Sequence, residues 1–450
     1  MSSTSATGAA KGFDQIPVFH FPQDYATTMP AFLGKTAQEL GPIFRRHTPA
    51  ELRPYFGEWI VYLAGPEANR FVLHTHRDAF SHDRGWTPMI GEIFERGLLN
   101  TDDPEHARDR KMMNPAFAIS YMSRYLPIMS RIFAERTNGW VERGVVDLYD
   151  EMRKITFDVA AECLVGLRTG PQVDRLQQLF YSIMYGSGPS AMQSMHDLEQ
   201  GLFAARDEMN AILLRMIAER RTAPTDDILG MLVQAMDEDG KPFTDKQLLG
   251  QIHILLLAGH ETTTTLAAWL FYLLATHPDH LARVRREIAE VMSRHDTVTL
   301  DALKEMAELT RVVDEVGRLY SPVGNVPRGA VKDFEFAGYH VPAGTRVWLS
   351  LVASHRDPRL FAHPERFDPD RFAPPRSEGK TPYSLVPFGG GPRICLGINL
   401  AQVEIKAMAA YVLPRLEMTP VPGAVFQQAY LGPTAVIVGG LPMRVTTLNA

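Results

Sequence analysis

Residues 387–397 read Pro387-Phe388-Gly389-Gly390-Gly391-Pro392-Arg393-Ile394-Cys395-Leu396-Gly397, and one of only two cysteines in the chain stands near their end. The residues that follow, from Leu396 towards Leu413-Pro414, are patterned as a helix. A thiol at a helix N-terminus meets free backbone N–H groups and the positive end of the helix dipole, which stabilise negative charge on sulfur. The spacing therefore predicts a ready thiolate. Three consecutive glycines let the backbone come close to a flat ligand, where a Cβ would obstruct it, and Phe388 supplies an apolar wall. A phosphate-binding reading fails, because Ile394 stands where the dinucleotide pattern needs its third glycine. Gly379-Lys380-Thr381 likewise lacks the upstream glycine of a P-loop, position 374 being proline. Cys163, inside the apolar stretch Val159 to Val165, reads as a core residue.

Upstream of this loop, the clearest helix opens at Thr244, where Thr244 and Gln247 form a Thr-x-x-Gln capping box, and it continues to Leu274 before Pro278. At 1.5 Å per residue its roughly 30 residues span about 45 Å, and apolar residues surround it, as in a buried central helix. Midway along it stands Ala258-Gly259-His260-Glu261-Thr262. Glycine in a helix interior costs roughly 1 kcal/mol against alanine, so Ala258-Gly259 implies that something needs room there. A small-residue gap followed by an acid and an alcohol suits dioxygen bound on an iron and the delivery of protons to its distal oxygen. His260-Glu261 does not begin a zinc-protease H-E-x-x-H helix, because position 264 is threonine. His253 reads as an ordinary helix residue.

Other segments follow the same local rules. Leu126 to Arg143, Val146 to Leu167 and Leu303 to Tyr320 are expected as helices. Asp333 to Leu351 alternates in short pieces around Gly338 and Pro342-Ala343-Gly344, a small β region, and Val421 to Leu448 returns to strands and turns.

The cysteine segment resembles the Phe-x-x-Gly-x-Arg-x-Cys-x-Gly signature of the cytochrome P450 family at every fixed position: Phe388, Gly391, Arg393, Cys395 and Gly397. Residues 258–262 resemble its Ala-Gly-x-Glu-Thr motif. Glu315-Val316-Gly317-Arg318 is similar to its Glu-x-x-Arg helix, and Phe367-Asp368-Pro369-Asp370-Arg371-Phe372 to its Phe-x-Pro-acid-Arg-Phe pattern, which favours Arg371 over Arg366 as the partner of a structural Glu315–Arg318 pair. The resemblance, to a soluble bacterial-type member, implies a mainly α fold: a helix-rich lobe with a long central helix, a smaller β-containing region, and haem between them. It implies one domain over 1–450, helix-rich at about 100–320 and 395–415 and β-containing at about 50–80, 330–355 and 420–448.

The same resemblance implies haem b, with Cys395 as its metal ligand and Thr262 and Glu261 as catalytic residues, Thr262 holding the bound oxygen and its water. The cofactor-binding residues it implies are His106, Arg110, Ala258, Gly259, Arg328, Phe388, Arg393 and Gly397, with cations converging on two propionates. Arg393 stands where many soluble bacterial members carry histidine, and in this it is more like the membrane-bound branch. The implied activity is monooxygenation of an apolar small molecule (fatty acid, terpenoid, steroid or polyketide-like) by O2, with electrons from a separate ferredoxin or flavodoxin and its reductase. The alternatives are a non-enzymatic haem sensor or carrier and a peroxide-driven peroxygenase. Family position further places Trp86 to Ile93, Met184 to Met195, Ile254 to Ala258, Val323 to Val326 and the turn near Leu431 around the substrate.

Bulk properties agree with a large globular enzyme. Of 450 residues 45% are hydrophobic, and 46 basic against 52 acidic residues give −6, with no basic run of the kind nucleic acid requires. Two cysteines are too few for a disulfide scaffold and fit a reducing cytoplasm. The N-terminal segment lacks the about 18 apolar residues of a membrane span, and no second redox motif follows the cysteine, so a cytoplasmic monomer served by a separate electron donor is expected.

Overall fold

The computed structural model describes residues 10–185 and 195–448. Seven helices build the site: α1 (Asp83–Ile90), α2 (Glu105–Met113), α3 (Leu148–Val165), α4 (Pro171–Tyr185), α5 (Asp245–Thr276), α6 (Ala307–Leu319) and α7 (Ile398–Val412). The central one, α5, starts where the sequence places it. Thr244 Oγ1 accepts from the Gln247 N–H at 3.3 Å and Gln247 Oε1 accepts from the Thr244 N–H at 2.9 Å, which satisfies two orphan donors reciprocally. The helix runs for 32 residues and stops at His277, because Pro278 can only begin the next helix. Buried side chains occupy nearly its whole circumference, including Leu248, Ile252, Leu256, Leu266 and Leu270, so it is the axis of the main hydrophobic core.

Several expected helices are divided, each for an identifiable reason. Leu126 to Arg143 forms two helices, Leu126–Thr137 and Trp140–Arg143, because Gly139 takes a left-handed conformation (φ 81°) between them. In Val146 to Leu167 the first residues pair as the strand Val145–Asp147, and Asp147 then caps α3 by accepting from the N–H groups of Tyr149 and Asp150. Leu303 to Tyr320 breaks at Met306 because the Glu287 carboxylate, from the helix Pro278–Met292, accepts from the N–H groups of Glu308 and Leu309 at 2.7 and 2.9 Å and starts α6 afresh.

The principal sheet has five strands in the order Ile43–His47, Trp59–Ala64, Arg346–Ser350, Asn325–Ala330, Phe80–Ser81. Only the pairing of Trp59–Ala64 with Arg346–Ser350 is parallel. This sheet has its own core of Val61, Leu63, Val347 and Leu349. The expected β region after Asp333 is present as the hairpin Phe334–Phe336 with Tyr339–Val341, and the C-terminal segment as Gln427–Tyr430 with Ala435–Val438 and the strand Pro442–Thr447, which lies between Val145–Asp147 and Leu416–Pro420. The architecture is therefore the helix-rich lobe with a smaller β-containing region that the sequence implies.

Candidate active site

The cysteine loop is set by its backbone. Gly389 and Gly391 adopt φ values of 71° and 62°, and a Cβ on Gly391 would lie 2.1 Å from the Leu73 carbonyl oxygen, so no other residue fits there. The Cys395 N–H donates to Phe388 O at 2.9 Å and closes the turn, and α7 begins at Ile398 with Gly397 as its N-cap. The sulfur thus stands two residues ahead of the N-cap. Burial pushes the Cys395 thiol up from its ordinary value, and the Gly397 N–H and the Arg110 charge only partly oppose this. Burial thus works against the ready thiolate that the spacing suggests, and the helix N-terminus and Arg110 work for it. Cys163 is wholly buried in α3.

Behind the loop lies an ionic cluster in which Glu315, Arg318 and Arg371 have no solvent exposure. Arg318 Nε and Nη2 donate to the two oxygens of Glu315 at 2.7 and 2.8 Å, and Arg371 Nε donates to Glu315 Oε1 at 3.0 Å. Arg371 Nη1 also donates to Glu378 at 2.6 Å, and Glu378 in turn accepts from Arg376 Nη2 at 2.6 Å, so these two acids serve three arginines. It is Arg371 that joins the pair; Arg366 contributes only its carbonyl, to Arg318 and Arg371.

Cys395 and the middle of α5 face each other across a cavity of about 310 Å³ whose walls are mostly apolar. Ala258, Gly259 and Thr262 line it from α5, and Phe388, Arg393, Cys395 and Gly397 from the loop side. A Cβ built on Gly259 would meet no atom within 4 Å, so the gap is open space. Thr262 Oγ1 donates to Ala258 O at 2.6 Å. Glu261 is placed differently. It is wholly buried, is not among the residues lining the cavity, and lies towards α3, with Oε2 3.9 Å from Arg153 Nη2 and Oε1 3.3 Å from His260 Nε2.

One rim of the cavity is cationic. His106 and Arg110, one turn apart on α2, both line it, as do Arg328 from the sheet and Arg393 from the loop. Arg328 is almost fully buried, and burial together with the nearby Arg393 lowers its guanidinium to about 9. Burial lowers Arg393 to about 10, and burial with the Arg393 charge lowers His106 to about 4. Arg110 Nη1 donates to Ile394 O at 2.6 Å and so also braces the cysteine loop, while Arg393 Nη1 donates to Thr101 O at 2.9 Å.

Among the polar cavity residues that sequence reasoning missed are His82, Gln251 and Glu404. His82, held well below its ordinary value by burial and by Arg328 and Arg393, joins the cationic rim from a segment with no motif. Gln251 lies seven residues before Ala258, two helical turns along the same face, and that spacing is a signal that could have found it. It accepts from the Leu98 N–H and donates to Asp109, both at 2.9 Å, and so ties α2 to α5. Glu404, on α7, is fully buried with its carboxyl pushed well above the usual range, and its Oε1 has no hydrogen-bond partner among the described residues. Of the segments expected around a substrate, Trp86, Ile254, Leu255, Val323 and Val326 line the cavity; Leu431 is 66% exposed, and Met184 to Met195 lies largely outside the described residues.

These features suit haem. A flat macrocycle needs a slot with apolar faces, a gap where a side chain would clash, and cations for two propionates. Gly259, the apolar lining and Arg110, Arg328 and Arg393, with His82 and His106 beside them, provide these. Fold and cavity together define a haem-dependent oxidoreductase.

Comparison with known proteins makes the assignment specific. The family profile described as Cytochrome P450 matches residues 11–444. The chain is 33% identical over 398 residues to "Putative cytochrome P450 120" of Synechocystis sp., covering 86% of each chain. It is 30% identical over 370 residues to a sterol 14alpha-demethylase of Mycolicibacterium vanbaalenii, covering 80% of this chain and 81% of that one. Among solved structures, a retinoic acid-bound cyanobacterial CYP120A1 superimposes with a TM-score of 0.81 at 30% identity, covering 96% of this chain and 99% of that one. The chain belongs to the cytochrome P450 family. It is a monooxygenase, and haem b is its cofactor.

Proposed function

We propose that Cys395 is the axial ligand of the haem iron and that the protein inserts one oxygen atom of O2 into a C–H or C=C bond of an apolar small molecule. The observation that carries this reading is that Cys395 and the Ala258-Gly259-Thr262 face of α5 line one apolar cavity with a cationic rim. When bound, the haem supplies reductive activation of O2, which no side chain can provide.

The chain's own residues do the rest. His82, His106, Arg328 and Arg393 hold the two propionates, whose negative charge offsets the burial and, secondarily, the neighbouring positive charges that lower the pKa values along that rim. The Thr262 hydroxyl, at the cavity wall, presents a proton to the oxygen side, and Glu261, its neighbour in sequence, is the acid that resupplies it from the α3 side. The apolar lining excludes water and selects the substrate. Steroid- or terpenoid-like molecules head the candidates, since the similar proteins above carry sterol and retinoic acid in their names. Electrons come from a separate ferredoxin or flavodoxin, docking beside Arg110 and the exposed Ile394 of the cysteine loop. A cytoplasmic setting is supported by two unpaired cysteines.

The test has two arms. Screening fatty acids, terpenoids, steroids and macrolides for a substrate-induced haem spectral shift identifies the ligand class. With that substrate, Thr262→Ala should lower product formed per reducing equivalent several-fold; an unchanged ratio removes Thr262 from proton delivery.

A further inference from the structure

The cavity-lining residues leave unexplained a polar cluster on the opposite face of α5. His260 has no solvent exposure, and Phe157 and Phe180 pack edge-on against its ring at 5.1 and 5.6 Å, so water is kept away. Its Nδ1 lies 2.9 Å from Thr156 Oγ1; its Nε2 lies 2.5 Å from Tyr181 OH and 3.3 Å from Glu261 Oε1. Thr156 Oγ1 is 2.6 Å from Thr264 Oγ1, which is 3.0 Å from the His260 carbonyl. The other titratable groups facing the pair among the described residues are Arg153 and Tyr149 on α3, with Arg153 Nη2 3.9 Å from Glu261 Oε2 and donating to Tyr149 OH at 3.1 Å.

Two proton arrangements satisfy this network. An ionised Glu261 is acceptor-only, so a bare Nε2 lone pair beside it would be repelled and Nε2 must carry the ring proton. Nδ1 then accepts from the Thr156 hydroxyl, and Thr156 accepts from Thr264. When Glu261 is protonated, that repulsion is lifted and Nε2 is free to accept from Tyr181 OH, 2.5 Å away. Nδ1–H then donates to Thr156, Thr156 to Thr264, and Thr264 to the His260 carbonyl. The second arrangement holds one proton more than the first: the Nε2 proton passes to the Glu261 carboxylate, the proton taken from solvent is placed on Nδ1, and the two hydroxyls reorient. Two threonines in series make the reversal possible, since each hydroxyl has an acceptor in either direction.

We propose that His260 is a positioning residue whose tautomer is locked to the charge of Glu261: Nε2–H when the acid is ionised, Nδ1–H when it is protonated. Such a partner lets the acid beside Thr262 take up and release a proton in a water-free site without stranding an unpaired ring nitrogen. This deepens the role given to Glu261 and rests on it, but its test does not depend on turnover.

The experiment is nitrogen NMR of histidine-labelled haem-loaded protein in the diamagnetic reduced carbon monoxide state, across pH. His260→Gln assigns the resonances; if that variant fails to fold, Tyr181→Phe assigns them by shift. The expected result is that the protonated and unprotonated ring nitrogens of His260 exchange places in one titration, and that Glu261→Gln holds a single tautomer at every pH. A wild-type tautomer that never changes, an imidazolium throughout, or a switch that persists in Glu261→Gln overturns the proposal. Unchanged coupling in Thr262→Ala with the switch intact would instead overturn the wider reading and leave this inference standing.

Discussion

The cysteine loop and the middle of α5 meet the same cavity from opposite sides, yet they are built on different principles. The loop is fixed by main-chain geometry, by Gly389 and Gly391 with positive φ and by the Glu315–Arg318–Arg371 cluster behind it, all of which stabilise the fold whether or not chemistry occurs. The α5 segment spends stability on function. Gly259 weakens the helix, Thr262 satisfies its hydroxyl only on its own helix, and Glu261 and His260 place polar groups in the core. Substitutions on the cysteine side should therefore cost folding, and those on the α5 side should cost chemistry.

Four experiments sharpen or break this contrast. The largest effect is expected from Glu315→Gln, which leaves the fully buried Arg318 guanidinium without a carboxylate partner among the described residues and Arg371 with Glu378 alone. A loss of about 3–5 kcal/mol is expected, read by denaturant unfolding, and a change below 1 kcal/mol would show the cluster to be dispensable. Next is pH. Because His106 is held at about 4 when folded and its unfolded value is near the ordinary 6.5, the unfolded chain binds more protons between these limits. Stability of the haem-free protein should then fall by up to about 3 kcal/mol as pH drops from about 6.5 to 4. Haem loading, which supplies anions to the rim, should shrink that slope, as thermal unfolding of the two forms would show. Gly391→Ala follows, at about 2 kcal/mol for the left-handed conformation alone, with further loss from the clash at Leu73 O and reduced haem retention. Smallest in stability is Thr262→Ala, expected within about 0.5 kcal/mol of wild type while coupling of electrons to product falls. A large destabilisation there would erase the distinction.

What could be read in advance follows the same division. The α5 capping box, the stop at Pro278, the strands around Gly338 and the cysteine turn all rest on contacts between near neighbours in sequence, so residue types alone expose them. The choice of Arg371 was legible because its neighbours Pro369 and Phe372 form a pattern. The break at Met306 was not, since it is made by Glu287 reaching from another helix. Nor was His82, which reaches the cationic rim only because the sheet folds it there. The five residues from Ala258 to Thr262 illustrate the limit best. Their identities announce a site, but only packing against α3 shows that Ala258, Gly259 and Thr262 face the cavity while His260 and Glu261 face away from it.

The central claim is that the sulfur of Cys395 bonds to the haem iron. Its most direct test is the absorption spectrum of the reduced carbon monoxide adduct of purified protein expressed with ample haem. The strongly red-shifted band of a thiolate-ligated haem is expected in the wild type and absent in Cys395→Ala. A histidine-type spectrum in the wild type, or a thiolate band that survives in Cys395→Ala, would contradict it.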